Sequence, residues 1–296
     1  MKPISDFNAP RFDGVNGRDV TIGVVYDVSW DDLRPYAVSL VRSGFTGLKL
    51  LIVDQSTHPG VRENFTRLGF TIVERITPER EAPGQWDELG WTRFYYAAAI
   101  LRNNPGFRNA IWSDVRDVVF QVNPSTWLEN NLDPDKIAIE GLGHTLGACP
   151  IHNGPWVQLL CSTPEEWERL RVFEGITTGA FAGNAKLMQS FMDSVYSICC
   201  RVKHPNSTDQ GVMNYLTRTF PYNTLIQVPA PREGFSVVDA GEGAAWVNTF
   251  TEPVQGMPTL EDGVLLSSET KRPIAIAHLY TRVAAWREAI HKKYSE

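Results

Sequence analysis

Two neighbouring carboxylates carry the clearest chemistry in this 296-residue sequence. Asp114 and Asp117 lie in Ile111-Trp-Ser-Asp-Val-Arg-Asp-Val-Val-Phe-Gln-Val-Asn-Pro124, directly after an apolar run that reads as a buried strand ending at Trp112. Three residues apart on an extended strand, they would face opposite sides. On a turn at the strand's C-terminal edge they converge, and that edge is where open α/β sheets bind ligands. Paired hard oxygen ligands with free coordination positions suit Mg²⁺ or Mn²⁺ bridging a diphosphate. The same residues also suit a polar turn in which the aspartates cap backbone amides or pair with Arg116, and residue types alone permit both readings.

The elements that would place this turn at a sheet edge precede it. Val20–Tyr26, Leu48–Val53, Phe70–Val73 and Asn109–Trp112 read as buried strands. Between them, Leu33, Ala37, Leu40 and Val41 keep helical spacing behind a Ser29 N-cap, and Gly44 stands where a C-cap glycine belongs. Pro59–Leu68 and Leu89–Leu101 supply two more helices. Strands alternating with helices indicate βαβ units and a largely parallel sheet. The expected fold class is therefore α/β, with a mostly parallel central sheet and helices on both faces.

The second half is less regular. Ile137–Ile139 and Leu225–Val228 are strand candidates, Thr163-Pro-Glu-Glu166 is a capping box, and Asn184 caps a helix bearing Met188, Phe191, Met192 and Val195. Ser207-Thr-Asp-Gln210 starts another helix, while Gly141–Pro155 and Pro229–Gly243 read as long loops. No linker divides the chain, so a single domain is expected, with residues 18–124 and 125–296 as its two halves.

Net charge of −6 discourages nucleic-acid binding. No stretch approaches the roughly 18 apolar residues of a membrane span, and residues 1–17 hold no apolar run suited to a signal peptide. The four cysteines lack zinc-ligand spacing and read as reduced thiols, so a cytoplasmic location is expected. No P-loop, G-x-S-x-G elbow or dinucleotide fingerprint occurs.

Ser113-Asp-Val-Arg-Asp-Val-Val-Phe-Gln121 resembles the aspartate motif of nucleotide-sugar-dependent glycosyltransferases of the GT-A fold. Three later stretches are similar to the same family in the same order. Phe173-Glu-Gly-Ile-Thr-Thr-Gly179 resembles the segment lining the donor-sugar pocket, which implies Thr178 and Gly179. Ser207-Thr-Asp-Gln-Gly-Val-Met-Asn214 resembles the helix start beside the donor sugar, with Asp209 and Gln210 as implied catalytic residues. Ile274-Ala-Ile-Ala-His-Leu-Tyr280 places His278 where relatives use a histidine as third metal ligand. Arg93 looks like the family's donor-binding arginine, and Tyr26 and Asp27 end the first strand, where such enzymes hold the base.

The resemblance implies a single GT-A-like domain with a nucleotide-binding half, 18–124, and a sugar and acceptor half, 125–296. It further implies a glycosyltransferase using Mn²⁺ or Mg²⁺, a nucleoside-diphosphate sugar donor and a glycan or other hydroxyl acceptor. The family's usual motif is Asp-x-Asp, whereas here Arg116 holds the second position and Asp117 follows. Asp117 and Arg116 thus both remain candidates at the phosphate. Asp209 also suits a helix first turn, and Gln210 closes a Ser-x-x-Gln capping box. The alternatives are a catalytically inactive carbohydrate-binding or scaffold protein of the same fold, and a sugar nucleotidyltransferase. The latter should carry a Gly-rich basic loop after the first strand, where Tyr26-Asp-Val-Ser-Trp-Asp-Asp32 stands instead.

Overall fold

The computed structural model describes residues 7–75, 87–202, 208–228, 235–237, 258–267 and 270–295. The first half follows the expected alternation: β1 (Val20–Val24), α1 (Trp30–Arg42), β2 (Leu48–Val53), α2 (Pro59–Arg67), β3 (Thr71–Glu74), α3 (Asp87–Asn103) and β4 (Asn109–Ser113). The second half adds β5 (Val118–Phe120), α4 (Pro124–Asn131), β6 (Ile137–Thr145), α5 (Asn153–Gln158), α6 (Pro164–Leu170), β7 (Glu174–Asn184), α7 (Ala185–Val202) and α8 (Thr208–Leu216). Short strands β8 (Ile226–Gln227), β9 (Phe235–Val237), β10 (Thr259–Glu261), β11 (Val264–Leu266) and β12 (Ile276–His278) precede the final helix α9 (Ala284–Lys293).

The central sheet runs β3-β2-β1-β4-β7-β6-β8. Only β7 opposes the common direction, pairing antiparallel with β4 on one side and β6 on the other. Period-two alternation sends successive side chains to opposite faces. Ala110 and Trp112 of β4 therefore join the core formed with α3, α7 and α8, while Ile111 joins the one formed with α1, α2 and α4. Helices thus cover both faces of a largely parallel sheet, as the alternation of elements requires. A second, three-stranded sheet, β5-β12-β9, packs beside the first, with Val119, Ala277 and Tyr280 meeting Trp286 and Ile290 of α9.

Local signals set the helix starts. Ser29 accepts from the Asp32 amide, Asn123 from the Ser125 amide at 3.0 Å, and Thr163 from the Glu166 amide at 3.2 Å. The expected capping box at Thr163 closes one residue early, because Glu166 accepts from the Ser162 amide at 2.7 Å.

Two expected loops contain strands. Gly141–Pro155 begins with the rest of β6, whose register shifts on either side of Gly141. A β-carbon on Gly141 would lie 2.3 Å from Glu174 Oε1, and that oxygen accepts from the Gly143 amide at 2.7 Å. These glycines mark irregularities in a strand rather than its end. Pro229–Gly243 lies outside the described residues except for 235–237, which form β9. Ser207, the expected cap of α8, is also outside them. All four cysteines are free thiols. Among the described residues no helix is long and apolar enough to cross a membrane.

Candidate functional site

Two sheets fix the acidic turn from opposite ends. β4 stops at Ser113, and the Asp114 amide donates to the Gly179 carbonyl at 2.7 Å, carrying the β4–β7 ladder one step further. On the other side β5 begins at Val118, and the Leu279 amide donates to the Asp117 carbonyl at 2.8 Å. β12 brings His278 opposite Val118. One oxygen from each aspartate and one imidazole nitrogen lie within 4.8 Å of one another. His278 Nε2 is 3.7 Å from Asp114 Oδ2 and 3.6 Å from Asp117 Oδ1. Two carboxylates and a buried imidazole, open on the aspartate side, make a donor set that fits a divalent cation.

Beside this cluster, Arg93 reaches across from α3. Its Nη1 donates to Asp114 Oδ1 at 2.6 Å, and its Nη2 donates to Asp209 Oδ2 and to Thr178 Oγ1, both at 2.9 Å. The guanidinium side chain is 13% exposed and lies against the rings of Phe94 and Trp112, 5.0 and 5.6 Å from their centroids. Burial alone would lower the Arg93 pKa, but Asp114 and Asp209 outweigh it and hold the cation fully charged. Burial also raises the Asp114 carboxyl above its usual range, with Asp117 and Asp209 adding to the effect and Arg93 and His278 opposing it.

Asp209 stands in the first turn of α8, a helix locked to β7. Asn214 Oδ1 accepts from the Ile176 amide at 2.8 Å, and Asn214 Nδ2 donates to the Ile176 and Gln210 carbonyls, each at 2.9 Å. Gln210 donates through Nε2 to Asn153 Oδ1 of α5 at 2.7 Å. Gly211 permits the tight approach of α5, since a β-carbon there would lie 2.9 Å from Trp156 Cβ.

The same sheet edge carries a second ion pair where β2 and β3 end. Arg75 Nη2 donates to Asp54 Oδ2 at 2.6 Å, with the arginine side chain wholly buried. The Tyr26 ring lies under this guanidinium, 4.4 Å from its Cζ. Burial pushes the Tyr26 hydroxyl up to about 12, against the opposing pull of Arg75 and Arg93.

No family model matches the sequence, and no curated protein matches it. Solved structures do. The glycosyltransferase GlyE of Streptococcus pneumoniae TIGR4 superposes with a TM-score of 0.51 at 13% identity, over 95% of this chain and 62% of GlyE. The chain therefore spans less than two thirds of that structure. Mouse xyloside xylosyltransferase 1, in its apo form, superposes with a TM-score of 0.50 at 13% identity, over 89% of this chain and 97% of the mouse chain. The fold is glycosyltransferase-like.

Within this fold, the residues singled out from sequence fall into two groups. Asp114, Asp117, His278, Arg93, Thr178, Gly179 and Asp209 form one contiguous cluster, and Gln210 adjoins it. Tyr26 lies next along the edge, close enough for Arg93 and Asp114 to bear on its hydroxyl. Arg116 is exposed and makes no ion pair among the described residues, while Asp117 is the residue that joins the ring. Asp27 is exposed, with a φ of 21° that turns the chain off β1.

Sequence reasoning missed Asp54, Arg75, Asn153 and Asn214. The first two had a readable signal. Each directly follows a strand of the parallel sheet, the same position that Asp114 holds after β4.

Proposed function

We propose that this protein is a divalent-cation-dependent glycosyltransferase, moving a sugar from a nucleoside-diphosphate sugar to the hydroxyl of an acceptor, a glycan being the favoured class. The carrying observation is the convergence of Asp114, Asp117 and His278 beside the Arg93–Asp209 pair, on a fold shared with glycosyltransferases. Asp114, Asp117 and His278 would hold Mn²⁺ or Mg²⁺, and the imidazole nitrogen favours the transition ion. When bound, the ion supplies charge neutralisation at the diphosphate leaving group.

This chain's own residues account for the rest of the reading. The nucleotide lies over residues 18–124, with Tyr26 and Asp27 toward the base and Arg93 toward the diphosphate. Thr178, Gly179 and Asp209 line the sugar end, and Gln210, tied to Asn153, marks the start of the acceptor side. Asp209 either positions a sugar hydroxyl or, in an inverting reaction, takes the acceptor proton.

A thermal-shift panel of UDP-, GDP-, CMP- and dTDP-sugars, each with and without Mn²⁺, tests this directly. A ligand that binds only the native state raises its apparent stability. One donor should stabilise the protein in a Mn²⁺-dependent way and be turned over. A folded Asp114→Asn protein with unchanged turnover would overturn the reading. Stabilisation without hydrolysis or transfer would indicate a binding protein on the same fold.

A further inference from the structure

The Arg93 guanidinium serves two carboxylates that belong to different parts of the site. Asp114 gives it Oδ1 at 2.6 Å while its other oxygen, Oδ2, faces His278 at 3.7 Å. Asp209 gives it Oδ2 at 2.9 Å from the opposite side. Phe94 and Trp112 hold the group, and Thr178 Oγ1 shares the nitrogen that serves Asp209. One fixed positive charge is thus divided between a candidate cation ligand and the candidate sugar-end carboxylate.

We propose that Arg93 is a coupling residue, through which Asp209 sets the cation affinity of Asp114, and through which the bound cation sets how firmly Asp209 is held. This rests on the metal-dependent reading above. A hydrogen bond from a guanidinium draws charge from a carboxylate and lowers its affinity for a second cation. With Asp209 present, Arg93 spends part of that pull elsewhere, and Asp114 keeps more charge for the ion. Loading the ion weakens the Asp114 share in turn and leaves Arg93 more strongly committed to Asp209. Coupling between two binding events must be reciprocal, so the sugar end is set in place once the cation is bound.

The test is a double-mutant cycle on Mn²⁺ affinity, read by electron paramagnetic resonance of free Mn²⁺ with no donor present. Asp209→Asn should weaken Mn²⁺ binding by about tenfold in the wild-type background and by less than about threefold in Arg93→Met. Arg93→Met alone should tighten Mn²⁺ binding. Arg93→Lys is the second variant, folding being checked by circular dichroism. It retains a charge without the two-pronged fork, and there too the Asp209→Asn effect should shrink. An equal loss in all three backgrounds would show direct attraction between the Asp209 charge and the ion at a distance and overturn the coupling alone. Wild-type protein that takes up no Mn²⁺ would overturn the metal-dependent reading and this inference with it.

Discussion

Gly179 and His278 share one volume. A β-carbon on Gly179 would lie 1.9 Å from His278 Cε1 and 2.5 Å from Nε2, so the imidazole packs against Gly179 at a position where only hydrogen fits. Both residues sit in strands, β7 and β12, whose backbones are held by their ladders, leaving the ring as the part that must yield. Gly179→Ala should therefore lower Mn²⁺ affinity by about tenfold or more while costing about 1–3 kcal/mol of stability, the usual penalty of overpacking. Mn²⁺ titration alongside urea denaturation separates the two effects. Unchanged affinity in a folded variant would remove His278 from the ligand set.

Asp117 and Arg116 separate on the same measurement. Arg116 is exposed without an ion pair among the described residues, and exposed charges contribute little. Arg116→Ala should leave Mn²⁺ affinity within about twofold, whereas Asp117→Asn should reduce it by more than about tenfold. The reverse order would remove Asp117 from the candidate ligand set.

The buried Arg75–Asp54 pair predicts a stability defect with its own pH signature. Removing one partner of such a pair leaves an uncompensated charge, so Asp54→Asn should cost about 3–5 kcal/mol, and Asp54→Leu combined with Arg75→Met should cost less. Burial would raise the Asp54 pKa, but hydrogen bonds from Ser56 and Arg75 prevail and hold it below the ordinary carboxylate value. A depressed folded-state pKa contributes stability that is present above the unfolded value, about 3.9, and is lost as pH falls through the folded one. The gap between wild type and Asp54→Asn should accordingly be constant at neutral pH and narrow only in the acid range below about pH 4. Urea midpoints measured against pH check both the size and the sign.

Asn214 makes a third kind of prediction, about position. It closes a two-way bridge to Ile176 and a bond back to Gln210 from a site only 1% exposed. Asn214→Ala strands buried backbone groups and should cost about 2–3 kcal/mol. Asn214→Asp should be worse, because it sets an acceptor against two carbonyls. Guanidinium unfolding midpoints of the two variants give the order.

The parallel half was legible because its physics is local. Leu48–Val53 and Asn109–Trp112 are apolar runs bounded by polar residues, and the helices between them carry their stripes and caps in plain spacing. β7 was not legible in the same way. It is buried on both faces along almost its whole length, so alternation is absent, and its Gly, Thr and Ala content imitates a loop. The two candidate aspartates stood out because carboxylates after a buried strand are conspicuous in one dimension, whereas His278 came from the family resemblance. Asn214 and Asn153 did not stand out, since an asparagine's value lies in partners that folding brings to it from another element.

The strand that delivers His278 pairs with one more than half the chain earlier, and this sets an order in time. During synthesis Asp114 and Asp117 emerge first, and the third member of their ring follows only after more than half the chain has been added. At about 5–20 residues per second this delay is on the order of ten to thirty seconds. A nascent or truncated chain ending before residue 278 would thus hold both aspartates without the ring. Uptake of a divalent ion by this site would report that the last strand has docked.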